Sequence, residues 1–144
     1  MICRDATARD LAWLTAVALD NYRAIFAPLL PDCDWSPFDE AHFRARFSEA
    51  WPRVRIVADA VPLGFALVTD GHIDMFFVDR SAQGRGVGAR LLGDAQERGA
   101  GSLETFAINQ AARRFYERAG WRIAARYFRS FAGSECDFVR YERP

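Results

Sequence analysis

The stretch S81-A-Q-G-R-G-V-G-A-R-L-L92 sets three glycines at alternate positions, Gly84, Gly86 and Gly88, directly before an apolar pattern of helical period (Val87, Leu91, Ala95). Glycine lets backbone N–H groups close around an anion, and a helix that starts there aims the positive end of its dipole at the same point. A diphosphate is the natural guest, with Arg85 and Arg90 as further charge. The plain alternatives are a glycine-rich turn and solvated arginines. Taken alone, GRGVGA also fits the dinucleotide fingerprint, and Glu104 lies 20 residues beyond Gly84, where that fold carries a ribose-binding acid.

The flanking sequence rejects that fit. VRIVA (54–58), LGFALVT (63–69) and HIDMFFV (72–78) read as strands joined by connections of four and two residues. Connections that short make only antiparallel neighbours, whereas the fingerprint belongs to a doubly wound parallel sheet. Before these runs, residues 2–4 read as a short strand. Asp10 can cap a helix through LAWLTAVALDNYRAIF whose face is Leu11, Leu14, Ala18 and Tyr22, and Pro28 and Pro31 break it. A second helix is expected from about Pro37, with Asp39 and Glu40 in its first turn, Phe43 and Phe47 on one side, and Trp51 and Pro52 at its end. After the glycine loop come a helix from about 86 to 98, a GAG turn, the strand SLETF, a helix from about Asn109 to Ala119, and two strands around 121–131 and 135–142.

With 144 residues, half of them apolar, the chain reads as one domain able to bury roughly 70% of its unfolded surface. Nineteen basic residues balance nineteen acidic ones without a dense basic run, which disfavours nucleic acid and anionic membranes as partners. Cys3, Cys33 and Cys136 are odd in number and far apart, so they read as reduced thiols and suggest neither a disulfide framework nor a metal site. No signal-like or membrane-length apolar segment is present, and a cytoplasmic protein is expected.

Two segments, V-x4-Q-x-x-G-x-G (Val78, Gln83, Gly86, Gly88) and N-x-x-A-x-x-F-Y-x-x-x-G-W (Asn109, Ala112, Phe115, Tyr116, Gly120, Trp121), resemble the acetyl-CoA-binding segments of the GNAT superfamily of N-acetyltransferases. The opening from Ile2 to Asp10 and the order of elements are similar to that family over essentially the whole chain. The resemblance implies an α/β (α+β) GNAT fold over residues 1–144: a mostly antiparallel mixed sheet of about seven strands, splayed in the middle and flanked by about four helices. It implies acetyl-CoA as co-substrate, with the pyrophosphate at Gln83, Gly84, Arg85, Gly86, Val87 and Gly88. Backbone groups of Phe76, Phe77 and Val78 would hold the pantetheine arm, and one N–H there could polarise the thioester carbonyl.

By the same resemblance Tyr116 is the general acid for the departing thiolate, although spacing alone places it in a core stripe with Ala112, Phe115 and Ala119. Asn109 matches a cofactor-contacting residue and is equally a plain helix cap. An ammonium acceptor must lose a proton, for which Glu104 and Asp74 are the candidate bases. Strand alternation puts Asp74 on the face of Phe76 and Val78, with Met75 and Phe77 opposite. His72 reads as solvated, and no cysteine stands where an acyl-cysteine route would need it. The leading expectation is acetylation of a small-molecule amine, with Tyr22, Phe26 and Trp35 as an apolar wall and Asp32 and Asp34 attracting the amine. The alternatives are a catalytically silent acyl-CoA-binding sensor, or acetylation of a protein N-terminus or lysine. A homodimer is possible.

Overall fold

The computed structural model describes residues 1–143. Its seven strands are β1 (Ile2–Asp5), β2 (Val54–Ala58), β3 (Pro62–Thr69), β4 (His72–Val78), β5 (Ser102–Phe106), β6 (Arg122–Phe131) and β7 (Ser134–Glu142). They form one sheet in the order β1-β2-β3-β4-β5-β7-β6. Neighbours are antiparallel except β4 and β5, which run parallel and pair only at His72↔Ser102 and Ile73↔Leu103. The sheet therefore splits in its middle, as expected. The helices are α1 (Leu11–Asn21), α2 (Glu40–Ala50), α3 (Val87–Glu97) and α4 (Gln110–Arg118).

Local chemistry sets the ends of α1 differently from the sequence expectation. Thr7, not Asp10, is the cap: its hydroxyl accepts from the Arg9 N–H, and a short 3₁₀ turn, Ala8–Asp10, leads into α1. Asp10 completes a capping box by accepting from the Thr7 N–H at 2.8 Å, and it pairs with both arms of Arg4 at 2.9 Å. At the other end Pro28 does not break the helix. Tyr22–Phe26 forms a π turn, closed by the Ala27 N–H on the Tyr22 carbonyl, and the helical path runs on through Ala27–Leu29. That wider turn absorbs the position where proline has no N–H to give. The stop comes at Leu30, which Pro31 pushes out of the helical region. Likewise α2 begins only at Glu40, because Asp39 is its N-cap and accepts from the His42 N–H at 2.9 Å.

Each face of the sheet buries one helix pair. Phe43 and Phe47 of α2 and Leu14 and Ala18 of α1, each at most 1% exposed, cover Ile56, Phe65 and Phe77. On the other face α3 and α4 bring Leu92 and Tyr116 onto Ile73, Leu103, Trp121 and Tyr141. Arg55 on β2 clasps Asp94 of α3 through two bonds, at 2.9 and 3.1 Å, and reaches Asp5 on β1. The Asp94 side chain is only 10% exposed, so this pair docks α3 from within the fold.

Replacing Asp94 with Ala leaves Arg55 short of its main partner and should cost about 2 kcal/mol at neutral pH. The Arg55 guanidinium holds the Asp94 carboxyl below the usual carboxylate range. A depressed native value gives stability that is complete above the unfolded value near ~4 and lost as pH falls through the native one. Denaturant titrations of the wild type and Asp94→Ala should therefore converge toward acid. A constant gap down to strongly acid pH would show that the charge pair is not the cause.

Candidate active site

The split between β4 and β5 opens a cavity of about 750 Å³ that runs from the glycine loop to the β6–β7 hairpin. At the loop end, Gly84 (φ +76°) and Gly86 (φ +78°) both adopt the left-handed backbone that favours glycine. Gly86 caps α3, whose first intrahelical bond is from the Arg90 N–H to the Gly86 carbonyl at 3.1 Å. The N–H groups of Val87, Gly88 and Ala89 therefore have no acceptor within the helix, and these residues line the cavity. Gly88 serves a different end, because a Cβ there would stand 3.2 Å from the Phe115 ring, and its absence lets α3 and α4 close up. Gln83 lines the same end, while Arg85 turns to Asp59 at 3.1 Å. Val87 contributes backbone only, its side chain being buried with Leu91 and Leu63.

Beyond Ile73, β4 has no strand along its inner edge, and Phe76, Phe77 and Val78 line the cavity there. The expected faces hold for Phe76 and Val78 against Met75 and Phe77, but the strand is irregular just before them. A bulge sets Leu67 opposite Met75 and Val68 opposite Ile73, which leaves Asp74 as the extra residue. Ile73 packs on the side of Phe76, and Asp74 stands exposed on the cavity wall. His72 is not merely solvated: its Nδ1 lies 2.8 Å from the Ser102 hydroxyl, across the only paired stretch of β4 and β5.

Tyr116 is both core residue and cavity residue. It is 7% exposed, packs on Phe76 and Trp121, and lines the cavity, and its hydroxyl has no hydrogen-bond partner among the described residues. Burial pushes its pKa up, so the hydroxyl keeps its proton at neutral pH. Asn109, 8% exposed, caps α4 by accepting from the Ala112 N–H at 3.2 Å and also faces the cavity.

Glu104 is held from two sides. Its carboxylate accepts from the Tyr127 hydroxyl and from the Arg129 guanidinium, whose Nε lies 3.2 Å from each oxygen. Burial pulls its pKa up, but the bonds from Arg129 and Tyr127 outweigh that and leave it below the usual range. Arg129 is steadied in turn over the Phe138 ring at 4.1 Å. Sequence reasoning missed Arg129, Phe131 and Phe138, all on the cavity wall, because β7 inserts between β5 and β6 and so decides which of their residues meet Glu104.

The far wall combines foreseen and unforeseen parts. Tyr22 and Phe26 line the cavity with ring centroids 4.9 Å apart, and Phe26 meets Phe106 at 5.2 Å. Trp35 lies behind that wall, against Phe26, Phe106 and Phe131. Asp32 and Asp34 do not attract anything into the cavity. Both are exposed outside its lining, and Asp34 is engaged in accepting from the Ser36 N–H and hydroxyl. No helix among the described residues is long and apolar enough to cross a membrane.

Comparison with known proteins agrees with this geometry. Residues 37–142 match the model of a family described as an acetyltransferase (GNAT) domain. No sequence among curated proteins matches the chain. Among solved structures, apo YjaB from Escherichia coli superposes with a TM-score of 0.82 at 21% identity, covering 99% of this chain and 97% of that one. The GCN5-related N-acetyltransferase of Rhodopseudomonas palustris gives 0.71 at 27%, covering 99% and 94%. A streptothricin-acetyltransferase-like protein of Bacillus anthracis in complex with acetyl coenzyme A gives 0.56 at 25%, covering 62% and 60%. The family match spans the glycine loop and the split sheet alike, and the chain belongs to the GNAT superfamily of acetyltransferases.

Proposed function

We propose that this protein, acting as one catalytic domain over residues 1–144, transfers an acetyl group from acetyl-CoA to the amine of a small molecule by direct attack in a ternary complex. The observation that carries this reading is a single cavity joining three features: the uncapped N–H groups of Val87, Gly88 and Ala89, the open edge of β4, and the unpartnered hydroxyl of Tyr116.

The residues fit the co-substrate. Two left-handed glycines shape a cradle for the diphosphate at a helix N-terminus, and the open edge of β4 suits an amide-bearing arm. Acetyl-CoA supplies an activated thioester, and the chain positions it and moves protons. A backbone N–H of β4 near Phe76–Val78 polarises the carbonyl, and Tyr116, protonated throughout the neutral range, gives its proton to the departing thiolate. Asp74, whose carboxylate has no hydrogen-bond partner among the described residues, takes the proton of the incoming ammonium through water. Glu104, kept ionised by Arg129 and Tyr127, orients that ammonium electrostatically. The rings of Tyr22, Phe26 and Phe106 favour an acceptor with an apolar or aromatic body.

Calorimetric titration with acetyl-CoA, followed by thiol release against a panel of small amines and peptides, tests the reading. Amine-dependent release supports it, binding without release favours the sensor, and release only with peptides moves the acceptor to proteins. Tyr116→Phe should lower kcat about 100-fold and leave acetyl-CoA affinity unchanged; unaltered turnover would remove it as the acid. Gly86→Val should weaken acetyl-CoA at least about 10-fold, because a β-branched residue resists positive φ. Asp74→Asn should lower kcat more than it raises acceptor KM, and Glu104→Gln should do the reverse. Identical profiles for the two would overturn the division of roles.

A further inference from the structure

Cys33 and Cys136 stand 103 positions apart in sequence, yet their sulfurs lie 3.7 Å from one another. Cys136 is 3% exposed on β7, and Cys33 is half-buried in the segment that follows Leu30. Both belong to the apolar cluster of Phe106, Phe138 and Phe131 that backs the far end of the cavity. That segment is strapped across the β6–β7 hairpin. The Asp34 N–H donates to the Ala132 carbonyl at 2.8 Å, the Trp35 indole N–H donates to the Leu30 carbonyl at 2.9 Å, and Trp35 packs on Phe26 and Phe131. Cys3 cannot join the pair. It sits on β1, five strand spacings from β7, which is about 24 Å.

We propose that Cys33 and Cys136 are a reversible redox pair whose disulfide clamps the segment from Leu30 to Ser36 onto β7, behind the aromatic wall of the active site. The sulfurs need to approach by less than about 2 Å, within reach of side-chain torsions. The oxidant is a peroxide. Cys33, the more exposed thiol, is oxidised by hydrogen peroxide to the sulfenic acid with release of one water. The Cys136 sulfur then attacks the Cys33 sulfur, forming the S–S bond, and the sulfenic oxygen leaves as a second water with the Cys136 thiol proton. Two thiols are oxidised and one peroxide is reduced. A dithiol reductant reverses the step by exchange.

Burial, together with the neighbouring Cys33, pushes the Cys136 thiol up to about 11, which makes it a poor first nucleophile and leaves it the resolving partner. The clamp would close a loop of more than a hundred residues and fix the backing of Phe26 and Phe131 without touching the glycine cradle. Because the pair is read from sulfur chemistry, its test is independent of whether acetyl transfer to an amine is ever observed.

The experiment is treatment of the full chain with a slight excess of hydrogen peroxide under native conditions, followed by thiol titration in denaturant and peptide mapping by mass spectrometry. Three titratable thiols should fall to one, with a single cross-linked peptide pair joining Cys33 to Cys136 and Cys3 left free. Dithiothreitol should restore all three. The oxidised protein should melt higher than the reduced one and exchange the Asp34 amide more slowly, and both changes should be absent in Cys33→Ser. Should Cys33→Ser fold poorly, Cys136→Ala supplies the same control, since it keeps an apolar group in the cluster. Three thiols surviving peroxide, a sulfinic acid at Cys33 with no cross-link, or a cross-link involving Cys3 would each overturn the proposal.

Discussion

The ladder between β4 and β5 ends after two residue pairs, and the rest of the molecule is arranged around that interruption. A parallel pair that stops early leaves the backbone groups of its inner edges without strand partners, which is costly unless those edges stay open to solvent. Outward from the split, β4 stays bonded to β3 along its full length, while β5 takes β7 as its antiparallel neighbour. The inner edges are left facing a cavity instead of packed side chains. The segment from Val78 to Val87, with its two left-handed glycines, then delivers the start of α3 to the mouth of the same opening. The glycine loop, the open strand edge and the buried tyrosine thus meet at one discontinuity in the sheet.

Holding two half-sheets apart requires rigid material on both sides of the gap, and aromatic packing provides it. On the α3–α4 face, Phe76, Phe115 and Tyr116 meet tilted or edge to face around the point where a Cβ on Gly88 would collide with Phe115. On the opposite face, Tyr22, Phe26, Phe77 and Phe106 meet edge to face or tilted, with Trp35 and Phe131 behind them. Six of the twelve phenylalanines go into these two walls: Phe26, Phe76, Phe77, Phe106, Phe115 and Phe131. Charge is sparse on the cavity surface. At Glu104 and Arg129 it is paired, which keeps the carboxylate ionised and costs it basicity.

Much of this was legible in the sequence, for identifiable reasons. Strands joined by two to four residues have no option but antiparallel pairing, and glycines at alternate positions before an amphipathic helix announce a loop that must reach positive φ. Tyr116 and Asn109 fell where the motif spacing put them, because a single helix and its cap fix both. The misreadings were local competitions. Thr7 outbid Asp10 for the cap because Arg4 had already engaged the aspartate, and a π turn carried the helix past Pro28. The bulge at Asp74 is a feature that no composition rule anticipates.

Sequence by itself therefore determined most of the elements, the antiparallel order of the first strands, the glycine loop and the position of Tyr116 on its helix, since each rests on contacts within about a dozen residues or on a fixed helical period. Tertiary structure alone decided what meets across the sheet: Arg129 and Tyr127 on Glu104, Arg55 on Asp94, and the sulfurs of Cys33 and Cys136. The physical reason is the docking of α3 on β2 for Arg55, and for the others the insertion of β7 between β5 and β6 with the packing of the Leu30–Ser36 segment on that hairpin. All of these join residues far apart in the chain through register and burial, which local propensity does not encode.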